Sequence, residues 1–309
     1  MGNALRRFLI GSAGILSFAG YQLYQIKSLK IEVKELKFPD LPSELEGYRI
    51  CHISDLHGAS FGNKNIKLAQ VINALDFNII CMTGDMVHTD SDYGEAFLNL
   101  VSEITRDKVK LFVPGNHENY KRTTHGVERL NREVLYRKLA NFGVKVLKNT
   151  TYQPEGLPIA FTGLDDDRAI YEDQGFKEDG FVPGDHLPMA DEGCFNTVLI
   201  HRPNYFRSVA DYGYDLMLSG HVHGGILRVK GLGGVLSPDI KFFPEFDKGI
   251  FRYNNAFLHV TSGLGTVKPI PKAGNRPEVV LLVLRKGDPG AIACKIVKPL
   301  AGSSQISSG

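Results

Sequence analysis

Each apolar run in the first part of the chain stops at a carboxylate, an amide or an imidazole. Tyr48–Ser54 (YRICHIS) runs into Asp55-Leu56-His57, Phe77–Met82 (FNIICM) precedes Gly84-Asp85, and Val109–Val113 (VKLFV) precedes Gly115-Asn116-His117-Glu118. Short runs of this kind are the pattern of buried strands. Segments with helical spacing separate them: Asn65–Leu75, with Ile66, Leu68, Val71, Ile72 and Leu75 apolar, then Tyr93–Ile104, and Val127–Leu139 after the third run. This β-α-β-α-β rhythm predicts parallel strands joined by right-handed crossovers. The carboxyl ends of such strands share one crevice, where ligands bind. Asp55, His57, Asp85, Asn116 and His117 are therefore expected to converge.

After Val144 the character changes. Short strands are expected at 143–147, 158–163, 196–200, 215–218, 256–261 and 278–285, with one helix near Asn204–Asp211. Here too, Thr197–Ile200 ends in His201, and Asp215–Ser219 ends in Gly220-His221-Val222-His223-Gly224-Gly225. Two long connections, 165–194 and 226–250, are rich in Gly, Pro and Asp, which marks functional or mobile loops.

The strand-end residues are ligands for hard-to-borderline divalent metals: carboxylate, amide oxygen and imidazole, without thiolate. Two ions need about seven protein ligands plus waters. Asp55, His57, Asp85, Asn116, His201, His221 and His223 supply them. His221 and His223 would face opposite sides of a straight strand, but the glycines around them can take positive φ and bend both rings toward one site. Each short motif is weak alone. Their order, always at strand ends, is what carries the reading.

D-x-H, G-D, G-N-H-[DE], H and G-H-x-H in this order resemble the calcineurin-like metallophosphoesterases, over about Tyr48 to Leu284. The apolar amino terminus, Gly263-Leu264-Gly265 and Arg276-Pro277-Glu278 resemble its membrane-anchored YkuE/YaeI-like subgroup. The resemblance implies an α/β fold, a four-layer α/β/β/α sandwich of two mixed sheets, here preceded by a single N-terminal membrane-anchor helix. It implies Asp55, His57 and His223 on one metal, Asn116, His201 and His221 on the other, and Asp85 bridging both. His117 is then the catalytic imidazole beside the leaving group. Two bound cations would clamp a phosphate and would lower the pKa of a bridging water so that it could serve as the nucleophile. His117, which is not a ligand, protonates the leaving group.

One departure concerns the residue three places after the bridging aspartate, acidic or amide in many members and His88 here. Asp90, Asp92 or Glu118 are the alternatives for fixing the His117 tautomer, and His88 is expected near His117. His52 and His259, inside apolar runs, read as core residues or as supports of the ligands. Asp165-Asp166-Asp167 reads as a turn or solvated face, with the alternative that one of the three contacts groups around the site.

Residues 8–24 (FLIGSAGILSFAGYQLY) are seventeen residues without a charge, flanked by Arg6, Arg7 and Lys27. That is the lower limit of a membrane span, so residues 1–29 are expected to be an uncleaved signal anchor. The alternatives are a cleaved signal peptide, a buried helix, a twin-arginine signal (Arg6-Arg7-Phe8-Leu9) or a myristoylation start (Met1-Gly2-Asn3, with Arg6 where Ser or Thr is wanted). The charge count, Arg6 and Arg7 against Lys27, Lys30, Lys34 and Lys37, leans toward a catalytic domain on the cytoplasmic face. The catalytic domain is expected over 30–300, followed by a disordered tail, 301–309. Four cysteines without a C-x-x-C pair make neither a disulfide framework nor a zinc knuckle. Lys+Arg 36 against Asp+Glu 34 leaves no reason to expect a nucleic-acid groove.

The expected activity is thus hydrolysis of a phosphate ester or pyrophosphate at two divalent metal ions (Mn, Fe or Zn). The substrate is a phosphorylated small molecule or a membrane lipid such as UDP-2,3-diacylglucosamine. A general phosphomonoesterase or diesterase is the alternative, and a non-catalytic metal-binding scaffold is the rival class. The loop Gly231–Phe246 carries Leu232, Val235, Leu236, Phe242, Phe243 and Phe246. These either pack back onto the second sheet or form an apolar rim beside the metals.

Overall fold

The computed structural model describes residues 28–88, 93–119, 123–124, 127–128, 131–165, 183–229, 231–266, 274–290 and 294–298. The expected anchor span and the tail, as well as Asp90 and Asp92, lie outside the described residues. Among the described residues no helix is long and apolar enough to cross a membrane.

In chain order the elements are β1 (Lys30–Phe38), β2 (Arg49–Ile53), α1 (Ile66–Asn73), β3 (Ile79–Thr83), α2 (Glu95–Glu103), β4 (Val109–Val113), α3 (Asn116–Asn119), β5 (Thr123–Thr124), β6 (Val127–Glu128), α4 (Arg132–Asn141) and β7 (Val144–Val146). They continue with β8 (Thr150–Tyr152), β9 (Ile159–Leu164), β10 (Phe195–Ile200), α5 (Phe206–Asp211), β11 (Leu216–Ser219), β12 (Leu227–Val229), β13 (Gly233–Leu236), β14 (Gly249–Tyr253), β15 (Ala256–Val260), β16 (Glu278–Lys286) and β17 (Lys295–Ile296).

Two mixed sheets result, in the orders β1-β16-β2-β3-β4-β7 and β17-β14-β15-β11-β10-β9-β8. β2, β3, β4 and β7 run parallel, as do β9, β10, β11 and β15. The mixture comes from β16 against β2, β14 against β15 and β8 against β9, all antiparallel. The central strands β2, β3, β4, β10 and β11 are apolar on both faces because both faces are covered. In the first sheet Cys51, Ile53, Ile80, Met82 and Phe112 pack with Leu68, Ile72, Phe97, Leu100 and Leu139 of the helices. Alternate residues, Ile50, Ile79, Cys81, Leu111 and Val113, point the other way, against Phe161, Leu199, Leu218 and Phe257 of the second sheet. The far face of that sheet packs Val198, Ile200, Met217 and Leu258 on Tyr205, Phe206 and Val209. Phe112 is fully buried, and truncating such a side chain to Ala costs about 3–5 kcal/mol.

The structure departs from the sequence reading at several elements, among them the edge strands β8 and β17. The helix expected over Val127–Leu139 begins at Arg132, because the Asn131 side chain accepts the Val134 N–H at 3.1 Å and caps it there, while Val127–Glu128 pairs with Thr123–Thr124. The connection 226–250 is not structureless, since β12 and β13 form an antiparallel hairpin within it and β14 begins at Gly249. β1 was unforeseen, because its partner in parallel pairing, β16, lies about 250 residues away, with Lys30 opposite Glu278.

Candidate metal centre

The candidate metal centre is built by loops that leave the carboxyl ends of five parallel strands, three from one sheet and two from the other. Asp55 and His57 follow β2, Asp85 follows β3, Asn116 and His117 follow β4, His201 follows β10, and His221 and His223 follow β11. The backbone locks these loops together. Asp55 N–H donates to Gly84 C=O at 3.0 Å, His57 N–H to Asp85 C=O at 3.0 Å, and Gly220 N–H to His201 C=O at 3.0 Å.

Local conformation is unusual here. Among the described residues, eleven non-glycine residues have positive φ, and five of them are Asp55 (52°), His57 (46°), Asp85 (52°), His221 (69°) and His223 (56°). A left-handed conformation costs a non-glycine residue about 1–3 kcal/mol and persists only where the surroundings impose it. The two histidines after β11 therefore turn through their own backbones, assisted by Gly224 at 69° and Gly225 at 87°. Gly220 serves differently: a Cβ there would lie 2.3 Å from Asp55 Oδ2 and 2.1 Å from Ser54 Oγ.

Ligand atoms fall into overlapping clusters, each within 4.8 Å: Asp55, His57 and His223; Asp85, His201 and His221; and His57, His88 and His117. His57 Nε2 and His223 Nε2 are 3.0 Å apart, and His223 Nε2 is 3.5 Å from Asp55 Oδ1. Asp85 Oδ2 lies 3.1 Å from His201 Nε2, 3.8 Å from His57 Nε2 and 3.9 Å from His117 Nε2, so it reaches toward both clusters. Its other oxygen accepts the His117 backbone N–H at 2.8 Å.

The donor set suits cations. His201 Nδ1 donates to Thr83 C=O at 2.7 Å, which turns the Nε2 lone pair of the neutral ring toward the Asp85 carboxylate. Two electron-rich atoms 3.1 Å apart require a proton or a metal ion between them. Asn116 Oδ1 is buried without a hydrogen-bond partner, as expected of an oxygen reserved for a ligand. Burial works to raise the Asp85 pKa, but His201, His117 and His57 outweigh it and hold the carboxyl well below the usual carboxylate range. Burial lowers the His117 pKa, against the pull of Asp85.

Surrounding groups orient these side chains. His221 Nε2–H donates to Asp239 Oδ2 at 2.8 Å, which leaves Nδ1 as the nitrogen with a lone pair. Sequence reasoning missed Asp239, whose only local signal is the turn Ser237-Pro238-Asp239. His52 and His259 support the site from between the sheets. Their Nδ1 atoms are 2.7 Å apart, and His52 Nε2 bonds Thr83 Oγ1 at 2.8 Å, behind the carbonyl that holds His201. His88 stacks near-parallel to His117, with centroids 5.8 Å apart at 20°. Glu118 does not reach the His117 imidazole; its carboxylate accepts backbone N–H groups of Gly115, Asp85, Met86 and Val87. Asp165 is buried and accepts from Asn119 Nδ2 at 2.8 Å, so it braces α3 and is no solvated turn.

A family model described as calcineurin-like phosphoesterase matches residues 48–225, more than half of the chain. The uncharacterized metallophosphoesterase YkuE of Bacillus subtilis (strain 168) is 25% identical over 301 residues, covering 91% of this chain and 97% of the relative. The phosphodiesterase YaeI of Escherichia coli (strain K12) is 26% identical over 250 residues, covering 77% and 82%. A metallophosphoesterase of Aquifex aeolicus (strain VF5), also uncharacterized, is 25% identical over 261 residues, covering 83% and 92%.

Proposed function

Because the chain belongs to the calcineurin-like phosphoesterase family, a family of phosphate-ester hydrolases with a dimetal centre, we propose that Asp55, His57 and His223 hold one divalent cation, that Asn116, His201 and His221 hold a second, and that Asp85 lies between them. The observation that carries this is the convergence of Asp85 with both clusters, its Oδ2 within 4 Å of His57, His117 and His201. Bound cations supply the charge that polarises a phosphoryl group and makes a nucleophile of water at neutral pH.

The protein's own residues do the rest. His117 faces the crevice with its backbone N–H fixed by Asp85, and it donates a proton to the leaving oxygen as the ester bond breaks. Asp239 and Thr83 hold His221 and His201 in single tautomers. Glu118 keeps the loops after β3 and β4 in register.

A second reading concerns the substrate. Leu232, Ile240, Phe242 and Phe243 are exposed at 68%, 77%, 72% and 62%, on the loop that brings Asp239 to His221. Phe246 packs back, buried beside Phe206 and Phe251, whereas for Leu232, Phe242 and Phe243 these exposures favour the rim. A lipid phosphoester or pyrophosphate such as UDP-2,3-diacylglucosamine suits it, with the acyl chains over the rim and the phosphate at the metals.

The test is a substrate panel on the full chain reconstituted with Mn, Fe or Zn: an aryl phosphate monoester, an aryl diester, and UDP-2,3-diacylglucosamine. Hydrolysis of any of these that is lost in Asp85→Ala supports the phosphoesterase. Preference for the nucleotide-linked lipid supports the second reading. A chain with two bound metals that hydrolyses none of them is the scaffold instead.

A further inference from the structure

Exposed large apolar side chains are not scattered evenly over this molecule. Twelve occur among the described residues, and six of them, Leu227, Val229, Leu232, Ile240, Phe242 and Phe243, fall in one stretch of hairpin and loop. Single exposed apolar residues need no explanation, but a contiguous cluster marks a surface that meets something apolar. The cluster is held firmly. Phe243 N–H donates to Val235 C=O at 2.9 Å, Ile240 N–H to Ser237 C=O at 3.0 Å, and Leu232 N–H to Val229 C=O at 3.1 Å. Ile240, a β-branched residue, is held at φ 60°, and Phe243 at φ 49°. An exposed side chain gains nothing in the free protein to offset that strain.

The same hairpin has a second face. Between outward-facing Leu227 and Val229, Arg228 turns inward and lines a groove of about 390 Å³ with Lys30, Lys34, Lys248 and Arg276, against the single acid Glu32. Two more acids, Asp247 and Glu278, sit behind the groove and pair with Arg228 and Lys248, so the cations are fixed while the net charge of the lining stays positive. Arg276 also holds the carbonyls of Ser28 and Leu29, at 3.0 and 3.4 Å. The chain upstream of Ser28, with its uncharged stretch 8–24, therefore joins the fold at the wall of this groove.

We propose that the hairpin β12–β13, the loop 237–243 and the basic groove beside them form a docking surface for an anionic phospholipid bilayer. The apolar side chains enter the acyl boundary, and lipid phosphates meet the groove. An apolar face with a basic flank is the physical signature of an interfacial contact, and each Lys or Arg near an anionic surface contributes about 1 kcal/mol. A protein partner would satisfy the apolar cluster equally well. The basic groove at the entry point of an apolar stretch is what favours lipid. Docking in this pose sets the metal centre at the membrane, because Asp239, within the docking loop, contacts His221.

The chain contains no tryptophan, so Phe243→Trp creates a unique reporter that can be read without turnover or metal. The full chain carrying this change is incorporated into vesicles of phosphatidylcholine and phosphatidylglycerol. Emission should shift to the blue and be mostly lost when the acyl chains are brominated. Met189→Trp is the control. Met189 is 75% exposed and lies near the start of β10, at the opposite end of the second sheet from the metals, and its reporter should stay unquenched. Leu232→Trp is the second reporter should Phe243→Trp fold poorly, and it should follow the same pattern. Replacing phosphatidylglycerol by phosphatidylcholine, or adding Arg228→Glu with Lys34→Glu, should reduce quenching several-fold. The proposal is overturned if bromolipid leaves the reporters as bright as the control, whether they remain open to a water-soluble quencher or become shielded only as protein concentration rises.

Discussion

The carboxylate of Glu118 accepts the backbone N–H of Asp85 at 2.9 Å. With three further N–H donors, from Gly115, Met86 and Val87, it joins the loop after β3 to the loop after β4. Burial, and then the charge of Asp85, pushes its carboxyl up to about 7 against those donors. The side chain that follows His117 in the chain is therefore a brace for the loops after β3 and β4.

Glu118→Ala should leave buried N–H groups unmet at about 1–3 kcal/mol each. It should lower both the melting temperature and the metal content. Glu118→Gln retains one acceptor oxygen but turns an NH2 toward N–H groups, so it should fall between the parent and the alanine variant. Calorimetry and elemental analysis of the three proteins check this. An alanine variant with the parent's Tm and metal content would remove the bracing role.

Asp85→Ala should empty the centre and abolish hydrolysis, because Asp85 Oδ2 is near the ligand atoms of both clusters. His117→Ala should keep its metals and lose about 10²–10⁴-fold in turnover, the usual contribution of a general acid. Metal content measured beside kcat separates the two. Equal metal loss in both variants would place His117 among the ligands.

His88 is stacked on His117 and also 6.1 Å, ring to ring, from His57. Its removal should cost about 10–100-fold in rate, as for other groups that orient a metal centre. His88→Ala should move the pH–rate profile, whereas His88→Phe, which keeps the ring, should restore part of the rate. A profile and rate identical to the parent in both variants would reduce His88 to a surface residue.

Far from the metals, Asp215 accepts the Asn196 N–H at 2.7 Å, and its carboxyl is pushed from 3.8 up to about 6, mainly by burial, with Asp40 adding repulsion. A folded-state pKa above the unfolded value means that the stability it contributes is complete below the unfolded pKa and is lost as pH rises through the folded one. Asp215→Asn cannot ionise and keeps an acceptor for Asn196. Its melting temperature should exceed the parent's above pH 6, and the gap should close below pH 3.8. A gap that is constant with pH would contradict the assignment.

Much of the site was legible before any coordinates, because its chemistry is local to strand ends. Apolar runs stopping at Asp55, Asp85, Asn116, His201 and His221 define both the parallel strands and the direction of the polar groups, and parallel alignment leaves those ends only one shared crevice. The alternation of Cys51 and Ile53 against Ile50 likewise follows from the strand period of two. The tertiary structure decided whatever depended on a distant partner. β1 is a strand because β16 lies beside it, and its sequence of alternating charges looked like the flank of an anchor. Asp239 gained its role by reaching His221 across the hairpin, and Glu118 became a brace because two loops present their N–H groups to one carboxylate. The left-handed backbones of Asp55, His57, Asp85, His221 and His223 belong to residue types that enter that region more readily than most, but that preference is too weak to place any one of them there. Non-glycine residues avoid that region, and only the combined constraint of two sheets can hold five of them there.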